Sequence, residues 1–162
     1  MRMVIDIWQL LENVHDPEIP VLSVVDLGVI RSIIQTDGGV EVKITPTYSG
    51  CPAMNTIAQD IRQCLENAGF APVKVSMVLS PAWTTDWLSE QGKQKLLEYG
   101  IAPPIEPLAS SKALFGAEPR VSCPQCQSTH TTMLSLFGST ACKALYRCED
   151  CLEPFDYFKC LR

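Results

Sequence analysis

Two Cys-x-x-Cys pairs, Cys123-Pro124-Gln125-Cys126 and Cys148-Glu149-Asp150-Cys151, lie 21 residues apart near the end of this 162-residue chain and constrain its fold more than any other feature. Two such knuckles on neighbouring turns present four thiolates tetrahedrally, as a structural zinc ion requires, and iron fits the same geometry. Between them, Thr131 to Leu136 and Ala144 to Arg147 can pair as a hairpin around Gly138. The pattern predicts a small zinc-ribbon-like β domain over 120–162, with Cys123, Cys126, Cys148 and Cys151 as metal ligands. Six of the eight cysteines fall in the last forty residues, a crowding that favours metal over a disulfide framework or a thiol–disulfide role.

Cys142 and Cys160 are left over. Cys142, Cys148 and Cys151 form a C-x5-C-x2-C run, one residue longer than the plant-type two-iron spacing, with Cys160 as a possible fourth ligand. That arrangement strands Cys123 and Cys126, so Cys142 and Cys160 are read as spare buried thiols. His130 follows the first knuckle, but four cysteines already fill a tetrahedron, and it is read as a surface residue.

The chain is 46% hydrophobic and 19% charged, enough apolar material for a core and unlike a disordered segment. It contains no run of about 18 apolar residues, so no membrane span is expected. The first residues, Met1-Arg2-Met3-Val4-Ile5-Asp6, lack the features of a cleavable leader, which predicts a cytoplasmic protein. Residues 1–119 hold 8 basic and 14 acidic side chains, net −6, while 120–162 hold 5 and 4, net +1. That balance disfavours binding of nucleic acid.

A second constellation lies in the first two-thirds of the chain. The alternating Val40, Val42 and Ile44 predict a strand running into Thr45-Pro46-Thr47-Tyr48-Ser49-Gly50-Cys51-Pro52. Beyond it Met54, Ile57, Ala58, Ile61, Leu65 and Ala68 recur at helical spacing up to Gly69. Gly50 allows an unusual backbone angle and Pro52 suits a first helical turn, which places Cys51 at or next to a helix cap. Unpaired amides and the positive end of the helix dipole favour a thiolate there, with hydroxyls of Thr45, Thr47, Tyr48 and Ser49 nearby. A buried thiol that merely packs is the other reading, and the residues alone leave both open.

Around this strand–turn–helix unit, Val4, Ile7, Trp8, Leu11 and Val14 predict an opening helix over 3–14, with His15 near its C-terminal dipole. Asp16, Glu18 and Asp26, spaced by Pro17 and Pro20, form either a solvated loop, the preferred reading, or an acidic rim facing a metal or partner. Val29 to Ile34 predicts a strand joined through Asp37-Gly38-Gly39 to the next as a hairpin. Cys64 is expected to pack at the edge of the second helix. Pro72 to Leu79 predicts a third strand. Thr84 or Thr85 is expected to cap a further helix to Gly100, with Trp83 and Trp87 covering the sheet or shielding Cys51. Pro103, Pro104, Pro107 and Pro119 mark a linker over 101–119. The expected fold class is α+β: an α-β-β-α-β domain with an added helix over 1–100, then linker and ribbon.

The order of opening helix, Asp16-Pro17-Glu18, Asp26-Leu27-Gly28, hairpin, Thr47-x-x-Gly50-Cys51-Pro52, helix and strand resembles the iron–sulfur cluster assembly domain of cytosolic cluster-targeting factors and bacterial SUF accessory proteins. Four longer motifs extend the likeness: Thr45 to Ala53, Pro81-Ala-Trp-Thr-Thr-Asp-Trp87, Phe137-Gly-Ser-Thr-Ala-Cys-Lys-Ala-Leu-Tyr-Arg-Cys148 and Glu153-Pro-Phe-Asp-Tyr-Phe-Lys-Cys160. With them the chain resembles the PaaD family, the D components of multicomponent phenylacetyl-CoA 1,2-epoxidases of aerobic phenylacetate degradation. The likeness covers nearly the whole chain and is weakest at 105–119.

The resemblance implies an accessory protein, not an enzyme, that assembles or delivers iron–sulfur clusters. It implies Cys51 as the functional thiol and transient cluster ligand, with Asp16, Glu18 and Thr47 around it. The implied client is the iron–sulfur reductase component, ahead of the oxygenase's di-iron centre. One Cys51 per chain supplies one of the four ligands a two-iron cluster needs, so a homodimer or a client-bound form is expected, with zinc structural in the tail. The rivals are a structural subunit bridging epoxidase components and a Cys51 thiol enzyme, for which His15 is the only histidine base in the main domain.

Overall fold

A computed structural model of the chain describes residues 6–105 and 120–159. Val4 of the expected opening helix, the linker positions 106–119 and Cys160 lie outside the described residues. The chain divides between Gly92 and Lys93 into two compact units. Among the described residues no helix is long and apolar enough to cross a membrane.

In the first unit α1 spans Ile7–Leu11, and the Asp6 carboxylate caps it by accepting the Trp8 amide at 2.9 Å. Ile7, Leu11 and the following Val14 are buried, whereas Trp8, expected on the same face, is 45% exposed. The helix ends earlier than its periodicity suggested, so His15 is no dipole partner. Instead it is exposed and pairs with Ser23 in an isolated antiparallel bridge. The amide of Asp16 donates to the Leu22 carbonyl and that of Val24 to the Val14 carbonyl, folding 16–26 back over buried Ile19, Leu22 and Val24.

β1 (Ile30–Thr36) and β2 (Gly39–Ile44) form the expected hairpin, with Ile33 opposite Val42. α2 (Ala53–Asn67) follows, and β3 (Val73–Met77) returns parallel to β2, giving the order β1-β2-β3. The expected stripe is the one that is buried: Met54, Ile57, Ile61 and Leu65 face inward together with Val40, Val42 and Ile44. Each such side chain contributes about 1.5–3 kcal/mol on burial. A strand–helix–strand crossover of this kind places α2 on one sheet face, with its N-terminus beside the end of β2.

The helix expected from Thr84 or Thr85 to Gly100 is broken. Thr84 caps a single 3-10 turn at Thr85–Trp87, and α3 (Glu90–Tyr99) starts anew after Ser89. A tertiary contact decides this. The Ser89 hydroxyl accepts the Gly92 amide at 2.9 Å and donates to the Asp26 carboxylate at 3.0 Å, while the Ser89 amide donates to the Asp26 carbonyl at 2.8 Å.

The second unit holds a four-stranded sheet of order β4-β7-β6-β5, from β4 (Ile101–Ala102), β5 (Thr131–Ser135), β6 (Lys143–Cys148) and β7 (Pro154–Phe158). The hairpin β5/β6 is the one expected. β7 was not expected, although Phe155 and Tyr157 flank the polar Asp156 at a spacing of two. Ile101–Ala102, at the head of the expected linker, pairs in parallel with Asp156 and Tyr157, because both residues are buried there. Tyr146 stacks on Phe155 at 5.9 Å and meets Tyr157 edge-on at 5.5 Å in a core with Val121, Cys123 and Cys148. The architecture is α+β, an α-β-β-α-β domain with an added helix followed by a small β domain.

Candidate functional site: a cysteine turn and a four-cysteine metal centre

Cys51 lies one residue before the cap position of α2. Its amide donates to the Tyr48 carbonyl at 3.2 Å and its own carbonyl accepts from the Met54 amide, closing a tight turn from strand to helix. Gly50 holds φ +77°, a region where a side chain is strained, and open space surrounds the point where a Cβ would stand. Pro52 already has helical angles and leaves α2 without a side-chain cap. Cys51 is partly exposed rather than entombed. Thr45, at the root of the turn, is 1% exposed, and its hydroxyl has no hydrogen-bond partner among the described residues.

Of the three carboxylates expected in a solvated loop, the two aspartates are buried. Asp16 is 7% exposed, and its Oδ1 accepts the amides of Glu18 at 2.7 Å and Ile19 at 2.9 Å, a local cap that the proline-flanked sequence enforces. Asp26 is 5% exposed and holds Ser23 and Ser89. Glu18 and Thr47 are half-buried. The indole of Trp83 donates to the Leu27 carbonyl at 2.8 Å, and the Arg31 guanidinium lies 3.7 Å from the ring centre of Trp87. Trp83 thus meets the Asp26-Leu27-Gly28 corner, and Trp87 meets a side chain of β1. Cys64 packs as expected. Its thiol donates to the Leu10 carbonyl at 3.4 Å, and burial pushes its pKa up.

In the second unit the sulfurs of Cys123, Cys126, Cys148 and Cys151 all lie within 4.8 Å of one another, with Cys123–Cys151 at 3.7 Å and Cys126–Cys148 at 3.5 Å. Four ligands at about 2.3 Å around a tetrahedral ion stand about 3.8 Å apart, so the set fits a metal. Both knuckles are built alike. The Cys123 amide donates to the Ser128 carbonyl at 2.8 Å, and the Cys148 amide to the Glu153 carbonyl at 3.0 Å. Gln127 and Leu152, each directly after a knuckle, take left-handed φ of 63° and 66°. Amides point at sulfur in both, from Gln125 to Cys123 and from Cys151 to Cys148.

At Cys148 such amides stabilise thiolate. The Cys151 and Asp150 amides lower the Cys148 thiol to about 7. At Cys151 the amide hydrogen bond with Glu153 acts downward, but desolvation and the neighbouring thiols drive the group to about 12. Four crowded sulfurs resist sharing negative charge until a cation compensates them. Cys142 is buried, with its sulfur 3.0 Å from the Thr140 hydroxyl. His130 is exposed, as expected, but it is tied to Asp150 at 3.2 Å. The spacing of the cysteines gives no sign of that contact, although Asp150 lies inside the second knuckle and Ser128 two residues beyond the first.

A family model described as an iron–sulfur cluster assembly protein matches residues 5–80, and one described as the PaaD zinc beta ribbon domain matches residues 107–159. An Escherichia coli (strain K12) protein, named as the D component of a "Putative 1,2-phenylacetyl-CoA epoxidase", is 51% identical over 156 residues, which cover 96% of this chain and 92% of that one. An "Fe-S protein maturation auxiliary factor" of Porphyromonas gingivalis is 40% identical over 98 residues, or 59% of this chain and 90% of that one. A crystal structure of a domain of unknown function, DUF59, from Bacillus anthracis aligns with a TM-score of 0.53 at 26% identity, covering 56% of this chain and 87% of the other. Matched through both of its units, the chain belongs to the family of phenylacetyl-CoA epoxidase D components, in which an iron–sulfur assembly domain precedes a four-cysteine ribbon.

Proposed function

We propose that the protein is an accessory factor of a phenylacetyl-CoA 1,2-epoxidase system that assembles or transfers iron–sulfur clusters. Its client is the iron–sulfur reductase component, and Cys51 is the exchanging ligand. The observation that carries this reading is a partly exposed cysteine on a tight turn at the N-terminus of α2, which has no side-chain cap, in a domain matched by the iron–sulfur assembly family. The cluster is cargo. Cys51 supplies one of its four ligands, and the others come from a second copy, the client or a small thiol. Incomplete ligation suits a carrier, since exchange onto a better site then runs downhill.

In this reading Asp16, which caps its own loop, Glu18 and Thr47 are the side chains that assist the Cys51 thiol. The four-cysteine centre holds zinc as a structural ion, because a closed thiolate tetrahedron leaves no position for exchange. The test is complementation of a deletion strain with Cys51→Ser. Cluster content of the reductase should fall well below that given by the parent, whereas full restoration would overturn the transfer role.

A second reading, a structural subunit bridging epoxidase components, draws on the exposed Leu134, Leu136 and Phe137 along β5 and its end. It predicts full reductase cluster content with Cys51→Ser, together with loss of epoxidase co-purification when these three side chains are made polar.

A further inference from the structure

The two knuckles are joined by more than a shared ion. Ser128, two residues past Cys126, donates its hydroxyl to Oδ2 of Asp150, which lies between Cys148 and Cys151. The other carboxylate oxygen meets His130 Nδ1 at 3.2 Å. The Ser128 hydroxyl also accepts the His130 amide at 3.0 Å, and the His130 carbonyl accepts the Glu149 amide at 2.9 Å. Each partner of the carboxylate is thus one covalent or hydrogen-bonded step from a ligand-bearing turn. Ser128 receives the Cys123 amide through its carbonyl, and His130 receives the residue that follows Cys148.

We propose that Asp150 is a positioning residue for the metal centre, a latch that ties the first knuckle to the second and slows release of the ion. Release of the ion is eased when the two thiolates on one knuckle swing away from the two on the other. That is the separation the Ser128–Asp150–His130 contacts oppose. Groups that hold ligands in place from outside the coordination sphere are commonly worth 10- to 100-fold in metal affinity. Asp150 and His130 are exposed, at 55% and 74% of their side chains, so water competes for their contact and the lower end of that range applies. The inference rests on the four cysteines holding a metal, and it is independent of what Cys51 does.

The test uses the full chain loaded with Co(II), or with Zn(II), and follows transfer of the metal to a chromophoric chelator. Asp150→Ala should release the ion about 10-fold faster than the parent while keeping the parent's cobalt absorption, since all four thiolates remain. Asp150→Asn, which keeps one acceptor oxygen, should fall between the two. Ser128→Ala should also speed release, and combining it with Asp150→Ala should add little, because both remove the same tie. Parental release from Asp150→Ala, or fully multiplicative effects of the two substitutions, would overturn the latch. An altered cobalt spectrum in Asp150→Ala would overturn it too, by showing a change in the coordination sphere itself. If the parent bound no cobalt or zinc, the metal reading would fall, and the latch with it.

Discussion

The indole nitrogen of Trp83 donates to the carbonyl oxygen of Leu27 across 2.8 Å, joining two motifs that lie 56 positions apart in the chain. Trp83 is 3% exposed, so this carbonyl has no solvent to turn to if the donor is removed. Trp83→Phe keeps most of the buried ring and deletes the donor. It should cost about 1–3 kcal/mol, the penalty of one unsatisfied buried acceptor. Urea unfolding of the full chain with metal bound would show it as a lower midpoint for the first unit.

Gly28 closes the same corner. Its φ is +69°, and a Cβ there would stand 2.2 Å from the Trp87 carbonyl oxygen, a backbone atom that cannot rotate away. Gly28→Ala should therefore cost more than the roughly 1 kcal/mol expected for a left-handed residue in open space. Gly50→Ala should cost only about that amount, since at φ +77° its Cβ meets nothing. Equal thermal shifts in the two variants would contradict this reading of the corner.

Thr45 offers the opposite sign. Its hydroxyl is buried without a partner among the described residues, a state that costs about 1–3 kcal/mol relative to an apolar group of the same shape. Thr45→Val, nearly isosteric, should raise the stability of the first unit by about 1 kcal/mol in denaturant titration. A destabilised variant would mean that the hydroxyl is satisfied in solution and contributes to the turn that carries Cys51.

Much of this architecture is legible in the residues because local periodicity and burial agree. The stripe from Met54 to Leu65, the alternation Val40–Val42–Ile44 and the Thr131/Ala144 hairpin each encode one face of one element. Both knuckles are legible for a stricter reason, since four thiolates at that spacing have few other uses. What stayed hidden depends on partners far along the chain. The break before α3 is made by Asp26, more than sixty positions upstream of Ser89. Asp16 and Asp26 look solvated by composition, yet they are buried because amides and hydroxyls take the place of water. The two-residue β4 carries no period at all, and only its neighbour β7 makes it a strand.

Cys64 gives a pH dependence of defined sign. Burial raises its folded pKa above the ordinary thiol value, so the folded state favours the protonated form. The associated stability is fully present at and below neutral pH and is lost as pH rises past the ordinary thiol range toward the raised value. Melting temperature should therefore fall on the alkaline side of pH 9, and Cys64→Ala, whatever its baseline, should flatten that decline. An unchanged slope in the variant would assign the alkaline loss to other groups.

Metal removal should act on one unit in particular. Cys123 and Cys148 belong to the same buried cluster as Tyr146, Phe155 and Tyr157, so the ion and the aromatic core hold one another in place. Without the cation, crowded thiols must either stay protonated, as the value of about 12 at Cys151 indicates, or separate. Left-handed backbone at Gln127 and Leu152, which costs about 1–2 kcal/mol per residue, then has less to hold it. Strong chelation should abolish near-ultraviolet signals from the tyrosine cluster, while the far-ultraviolet helical signal of α2, whose core contains no metal ligand, persists. Acidification should do the same as the thiolates take up protons and release the ion. Loss of helical signal in step with the tyrosine signal would show that the first unit depends on the ion as well.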